Sequence, residues 1–163
     1  MKKILLLLVS LLVLSACDSS DDSAANFESA IFVDDVAFIP TKVTVSNATA
    51  TMPEEAALGF TFSKGTAGNA DYEMIYFKVN YPLNSSTAPN GVYDFGIGVI
   101  GETLFAQGTY RKGEVFYSLA GYTVQVTKLG NTSYRIDFQN VQAVQPFTSE
   151  SFIISGYFEG QMQ

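Results

Sequence analysis

The sequence predicts an all-β fold, an antiparallel β-sandwich or flattened barrel of about nine or ten strands, most of them joined by hairpins. Three observations carry that prediction. From Phe27 onward, apolar and polar residues alternate with period two, the mark of strands with one buried face. Each alternating run ends in turn-forming residues. Past residue 26, no window sustains a capped 3.6-residue period over the roughly ten residues that a helix needs.

In chain order, Phe27, Ser29 and Ile31 alternate with Glu28, Ala30 and Phe32, and Asp34-Asp35 offers a turn into Val36–Phe38. Leu58, Phe60 and Phe62 follow at alternate positions. Ile75, Phe77, Val79 and Tyr81 then alternate with Met74, Tyr76, Lys78 and Asn80. A loop rich in Pro, Ser and Asn runs from Pro82 to Gly91, and Arg111–Glu114 is a hairpin connection. Gly130-Asn131 predicts a two-residue hairpin turn between Tyr122–Leu129 and Thr132–Val141, and Ser151–Gly160 is the closing strand. Val115-Phe116-Tyr117 and Phe152-Ile153-Ile154 are apolar on both faces and predict central strands. Gly96, Gly98 and Gly101 predict a bulge or sharp coil; a phosphate cradle would need a helix to follow them, and the context is all-β.

Ahead of this domain, Lys2 and Lys3 precede an apolar run from Ile4 to Leu14 broken only by Ser10, with Ser15 and Ala16 after it. That order is a secretory signal peptide. At about 1.5 Å per residue the run covers roughly half of the ~30 Å hydrocarbon core, too little for a membrane span. Leu14-Ser15-Ala16-Cys17 resembles the lipobox of bacterial lipoproteins. The resemblance implies that the Cys17 sulfur takes up a diacylglycerol and that cleavage leaves Cys17 as the first residue. Two or more acyl chains anchor a protein stably where one is marginal. The expected organisation is therefore 1–16 signal peptide, 17–26 lipidated cysteine and acidic tether, and 27–163 a single all-β domain.

Asp18 to Asn26 is acidic and small, with no apolar pattern to bury. Fully extended, the tether reaches about 30 Å. Asp18, Asp21 and Asp22 resemble the acidic display signal that follows the lipidated cysteine in Bacteroidota; an aspartate in the Asp18 position alone also resembles the inner-membrane retention signal of enteric bacteria. The expected address is the outer membrane, on its periplasmic or cell-surface face. Asp22-Ser23-Ala24 is similar to the short O-glycosylation motif of the same phylum, which implies Ser23 as an acceptor.

Composition narrows the chemistry. The chain has 9 basic and 16 acidic residues, and loss of Lys2 and Lys3 with the signal takes the net charge from −7 to −9. Such a surface repels phosphate backbones, so nucleic acid is not an expected partner. With Cys17 occupied by lipid, the domain has no disulfide and holds together by packing, for which 13 Phe and 9 Tyr supply the material. There is no His and no Trp. Ser-His-Asp and Cys-His sites, His-ligated zinc and thiolate metal centres are thereby excluded. Paired carboxylates could hydrolyse a glycoside, and the domain offers Asp34-Asp35, Glu54-Glu55, Asp94, Glu102, Asp137 and Glu159, but Asp34-Asp35 reads more simply as a turn and Glu54-Glu55 as a solvated loop. No enzyme activity and no cofactor are expected. Asn69, Asp71 and Glu73 place oxygens at alternate positions, a weak calcium candidate short of the six to eight ligands that the ion takes; the simpler reading is a polar hairpin turn, with no metal.

Asn90–Phe95, Tyr122–Thr127, Asn131–Phe138 and Ile154–Gly160 together resemble the strand order of small, uncharacterised all-β surface lipoproteins of the Bacteroidota. The resemblance implies fold and address, with no catalytic residues to transfer. Tyrosine is the richest remaining feature. Tyr76, Tyr93, Tyr110 and Tyr117 are the candidate ligand-binding residues, because an exposed ring offers a flat apolar face and a polar tip to a sugar or a protein. Tyr76 leads them, since Ile75 and Phe77 claim the opposite strand face. The expected function is a lipid-anchored, non-catalytic domain that binds an extracellular glycan or a cell-envelope protein. The alternatives are a structural envelope component without a small-molecule site and a calyx-type barrel for a hydrophobic ligand.

Overall fold

The computed structural model describes residues 27–96 and 104–163. Cys17, Ser23, Gly98, Gly101 and Glu102 lie outside the described residues. In chain order the strands are β1 (Phe27–Val33), β2 (Val36–Phe38), β3 (Lys42–Ala48), β4 (Glu55–Lys64), β5 (Glu73–Pro82), β6 (Gly91–Phe95), β7 (Phe105–Lys112), β8 (Val115–Ala120), β9 (Thr123–Lys128), β10 (Ser133–Val144) and β11 (Ser151–Gln161). The described residues form no helix and are all-β, as the alternation predicts. All eleven strands join one sheet in the order β2-β1-β11-β10-β9-β6-β7-β5-β4-β3, with β8 bridging β10 and β7. The both-faces-apolar runs do lie between neighbours: β8 between β7 and β10, β11 between β1 and β10.

The sheet curls into a barrel because its far edge meets the chain beyond β11. The Val45 N–H donates to the Gln163 carbonyl at 3.0 Å, and the Gln163 N–H donates to the Val43 carbonyl at 3.1 Å. Met162, next to that seam, is buried. Pairing is antiparallel except for the short β6–β7 contact. The β1–β2 turn is made by Asp34 and Asp35 with φ of 47° and 62°, a left-handed pair whose twist suits a two-residue hairpin and which aspartate tolerates. Asp34 also holds the hairpin onto β11: its N–H donates to the Ile153 carbonyl at 2.9 Å, and its Oδ1 accepts the Ile153 N–H at 2.7 Å.

Aromatic rings fill the interior. Phe60 stacks on Phe77 with centroids 5.2 Å apart, and Phe62 meets Phe158 edge-on at 5.2 Å. Phe77 meets Phe138 edge-on at 5.6 Å. Many outward positions of β4, β5, β7 and β10 are polar, among them Thr61, Lys78, Gln107, Thr109, Arg135 and Asp137, while Met74 and Tyr76 on β5 also face outward.

Alternation on β5 holds through Val79 and then breaks. Asn80, predicted on the polar face, is 1% exposed. The β3–β4 connection folds over it, and its Oδ1 accepts hydrogen bonds from the Thr51 N–H at 3.1 Å and the Thr51 hydroxyl at 3.3 Å.

Candidate functional site

The four predicted tyrosines separate into two groups. Tyr93, Tyr110 and Tyr117 point inward and are 0%, 1% and 2% exposed. Each polar tip is satisfied within the fold. The Tyr93 hydroxyl donates to the Pro89 carbonyl at 2.6 Å, Tyr110 to Glu73 Oε2 at 2.8 Å, and Tyr117 to Glu150 Oε1 at 2.9 Å. These three rings are core, which corrects their reading as ligand-binding residues: an inward ring on a barrel strand packs against the opposite wall. Tyr76 alone of the four faces outward.

The buried phenols also make stability depend on pH. Burial pushes the Tyr93 hydroxyl well above the usual phenol range, and burial and then the hydrogen bond to Glu73 do the same for Tyr110. The folded state thus holds the proton more tightly than the unfolded chain does. The associated stability is intact below pH ~10 and is lost above it, by about 1.4 kcal/mol per pH unit for each tyrosine. The melting temperature is expected to stay level from pH 7 to 9 and fall steeply by pH 11. A melting point as high at pH 11 as at pH 8 would mean that these phenols ionise without unfolding.

Glu73 has partners within the fold. Besides Tyr110, its carboxylate meets Lys64 Nζ at 3.2 Å. Asn69 and Asp71 lie in the β4–β5 turn, where the Tyr72 N–H donates to the Asn69 carbonyl at 3.1 Å. That is the polar hairpin turn the sequence suggested.

Tyr76 lies on the outer face of β3-β4-β5-β7. Strand register places it in a row with Thr61 on β4 and Thr109 on β7. The next row carries Ser46 on β3, Gly59 on β4, Lys78 on β5 and Gln107 on β7. Gly59 lets the ring lie across the sheet, since a Cβ there would sit 3.3 Å from Tyr76 Cε2 and 3.4 Å from its hydroxyl. At Gly108 a Cβ would lie 2.3 Å from the Tyr76 carbonyl oxygen, so glycine is what allows β7 to approach β5 this closely. The result is an open groove of about 630 Å³ lined by Ser46, Asn47, Ala48, Thr49, Tyr76, Lys78, Gln107, Gly108 and Thr109. Its chemistry is one aromatic ring, one ammonium group, two carboxamides and several hydroxyls. The sequence pointed to Tyr76 but gave no reason to single out Lys78.

A second groove, of about 520 Å³, lies on β9-β10-β11 and includes Arg135, Asp137, Gly156 and Tyr157. Here the cation is fully occupied. Arg135 pairs with Asp137 at 2.8 Å and Glu159 at 2.9 Å, and its guanidinium lies 4.5 Å from the Tyr157 ring centroid. Tyr157 in turn donates its hydroxyl to Glu28. Arg135 and Asp137, two apart on one strand, share a face by sequence alone, but Glu159 joins them only through the β10–β11 register.

Residues 1–17 match the family described as the prokaryotic membrane lipoprotein lipid attachment site, and the match ends on Cys17. It supports a membrane-anchored bacterial lipoprotein. Comparison of the chain with curated proteins and with solved structures finds no match.

Proposed function

We propose that this membrane-anchored lipoprotein is a non-catalytic binding module of the outer membrane, tethered through Cys17, and that its barrel takes an extracellular glycan or a protein partner on the outer face around Tyr76. The observation that carries this reading is the groove itself: a ring laid across the sheet, flanked by hydroxyl and amide groups, suits a partner that offers both a flat apolar face and ring hydroxyls. Among the described residues no carboxylate lines it, which weighs against the two acids of a glycosidase there. The packed interior weighs against a calyx, because the space that a hydrophobic ligand would need holds Phe60, Phe62, Phe77 and Phe158.

The test is a glycan array probed with the purified lipoprotein and its Tyr76→Ala variant. Loss of the ring is expected to weaken the bound glycans about tenfold, since withdrawing part of an aromatic face from contact forfeits on the order of 1.4 kcal/mol. Equal binding by the two proteins removes Tyr76 from the site. Protease added to intact cells tests the address, since a surface domain is digested there and a periplasmic one is digested only after the outer membrane is opened.

A further inference from the structure

Lys78 stands apart from the other partly buried cations. Lys64 pairs with Glu73, Arg111 with Glu114, and Arg135 with Asp137 and Glu159. Lys78 is half-buried in the Tyr76 groove, and among the described residues no carboxylate pairs with it. Its Nζ donates instead to neutral oxygens, the Thr49 carbonyl at 3.1 Å and Thr51 Oγ1 at 3.2 Å. An ammonium group has three donors, so one N–H and a charge without a carboxylate partner among the described residues remain.

The fold also holds this lysine in place. Buried Asn80 accepts both the Thr51 N–H and the Thr51 hydroxyl. With its proton given to Asn80, the Thr51 oxygen is left to accept from Lys78. The β3–β4 connection is thus pinned from below and fixes the ammonium group from above. Such support is what a recognition residue needs and what a solvated surface lysine lacks.

The surroundings make the charge unusual. The chain is strongly acidic, yet among the described residues no Asp or Glu lines this groove. A bound anion there meets Lys78 with no carboxylate beside it in the described lining.

We infer that the Tyr76 groove takes a sugar bearing a carboxylate, a uronic-acid unit of an acidic glycan, with Tyr76 against the ring and Lys78 on the carboxylate. One ammonium group beside hydroxyls and carboxamides matches a single negative charge on a hydroxylated ring. A phosphate dianion carries a second negative charge for which the lining, among the described residues, offers no second cation. This inference rests on the binding-module reading and names its ligand class.

The experiment is calorimetric titration of the purified lipoprotein in detergent with galacturonate, glucuronate and mannuronate hexamers and with each hexamer methyl-esterified. At least one free acid is expected to bind about tenfold or more tightly than its ester, the range for a charge-assisted hydrogen bond. Lys78→Gln should abolish that preference at an unchanged melting temperature, Lys78→Arg should retain it, and Tyr76→Ala should weaken acid and ester alike. Equal binding of acid and ester, or a preference that survives Lys78→Gln, overturns the inference, while a Tyr76 effect in the same data leaves the groove as a neutral-glycan site. A phosphorylated hexose that competes better than the uronates, or a hexaglutamate peptide that binds through Lys78 when no uronate does, overturns it in favour of that ligand. Failure of every hexamer, with array binding indifferent to Tyr76, removes both readings.

Discussion

Phe77→Ala is expected to destabilise the domain by about 3–5 kcal/mol, the range for truncating a fully buried phenyl ring. Phe77 is 0% exposed and stands where several walls of the barrel meet. Its ring stacks on Phe60 at 5.2 Å and Phe62 at 6.4 Å, both on β4. It meets Phe95 of β6 edge-on at 6.0 Å and Phe138 of β10 at 5.6 Å. Its Cβ would lie only 2.7 Å from a Cβ at Gly108, so the β5–β7 approach closes over it as well. Four rings from three strands cannot all collapse into one vacated space, and a cavity that stays open adds its own cost to the lost burial. Against a typical total of about 5–15 kcal/mol, that is a large share of the fold's stability. Urea unfolding of the purified protein measures it as a lower midpoint at unchanged slope. Ile39→Ala, at a position 68% exposed, is the control and is expected to stay within about 0.5 kcal/mol. A Phe77→Ala loss below 1 kcal/mol would mean that the core repacks around the missing ring.

Much of the barrel is written in the alternation of β4 and β5, where Phe60, Phe62, Ile75, Phe77 and Val79 all turn inward. The β1–β2 turn is written in Asp34-Asp35. The closing seam is not, because β3 offers only Val43 and Val45 as apolar alternation and its partner is the distant Gln163. No local pattern announces a pairing that the curvature of the whole sheet creates. The tyrosines show the same limit. Tyr76 and Tyr93 sit on equally regular strands, and only the register of neighbouring strands and the distant acceptors decide which ring is core. Tyr110 reaches Glu73, and Tyr117 reaches Glu150. Lys78 looked like one of the solvated positions of β5. What distinguishes it is the connection pinned by Asn80, whose burial the period-two pattern itself argues against.

The groove and the core are coupled through β5. Tyr76 and Lys78 point outward from the same strand that points Ile75, Phe77 and Val79 inward. Packing of the inner face fixes the strand, and the fixed strand sets the spacing of ring and ammonium group at alternate positions. A site on a central strand of a packed barrel is more rigid than one on loops, which lowers the entropy lost on binding.

Gly156→Ala is expected to destabilise by about 3 kcal/mol or more and to loosen the β1–β2 hairpin from β11. Gly156 has φ of 93°, a conformation that strains any residue with a Cβ by about 1–3 kcal/mol. It also pairs with Ile31 on β1 and Phe138 on β10. A Cβ there would sit 1.9 Å from the Ala30 carbonyl oxygen. That atom is backbone within a paired strand and has no rotamer to escape into, so β1 itself must move. Moving β1 disturbs Ile31 and Val33, which it contributes to the core. Gly68 separates the two effects: its φ is 92°, almost the same, but nothing lies within 4 Å of its added Cβ. Gly68→Ala should therefore show the backbone strain alone, about 1–2 kcal/mol, and the difference between the two variants measures the close approach of β1 to β11. Hydrogen exchange should show Ala30–Val33 losing protection in Gly156→Ala and keeping it in Gly68→Ala. Equal melting points for the two variants, with β1 protected in both, would mean that β1 shifts at no measurable cost and that the contact at Ala30 is not what requires glycine.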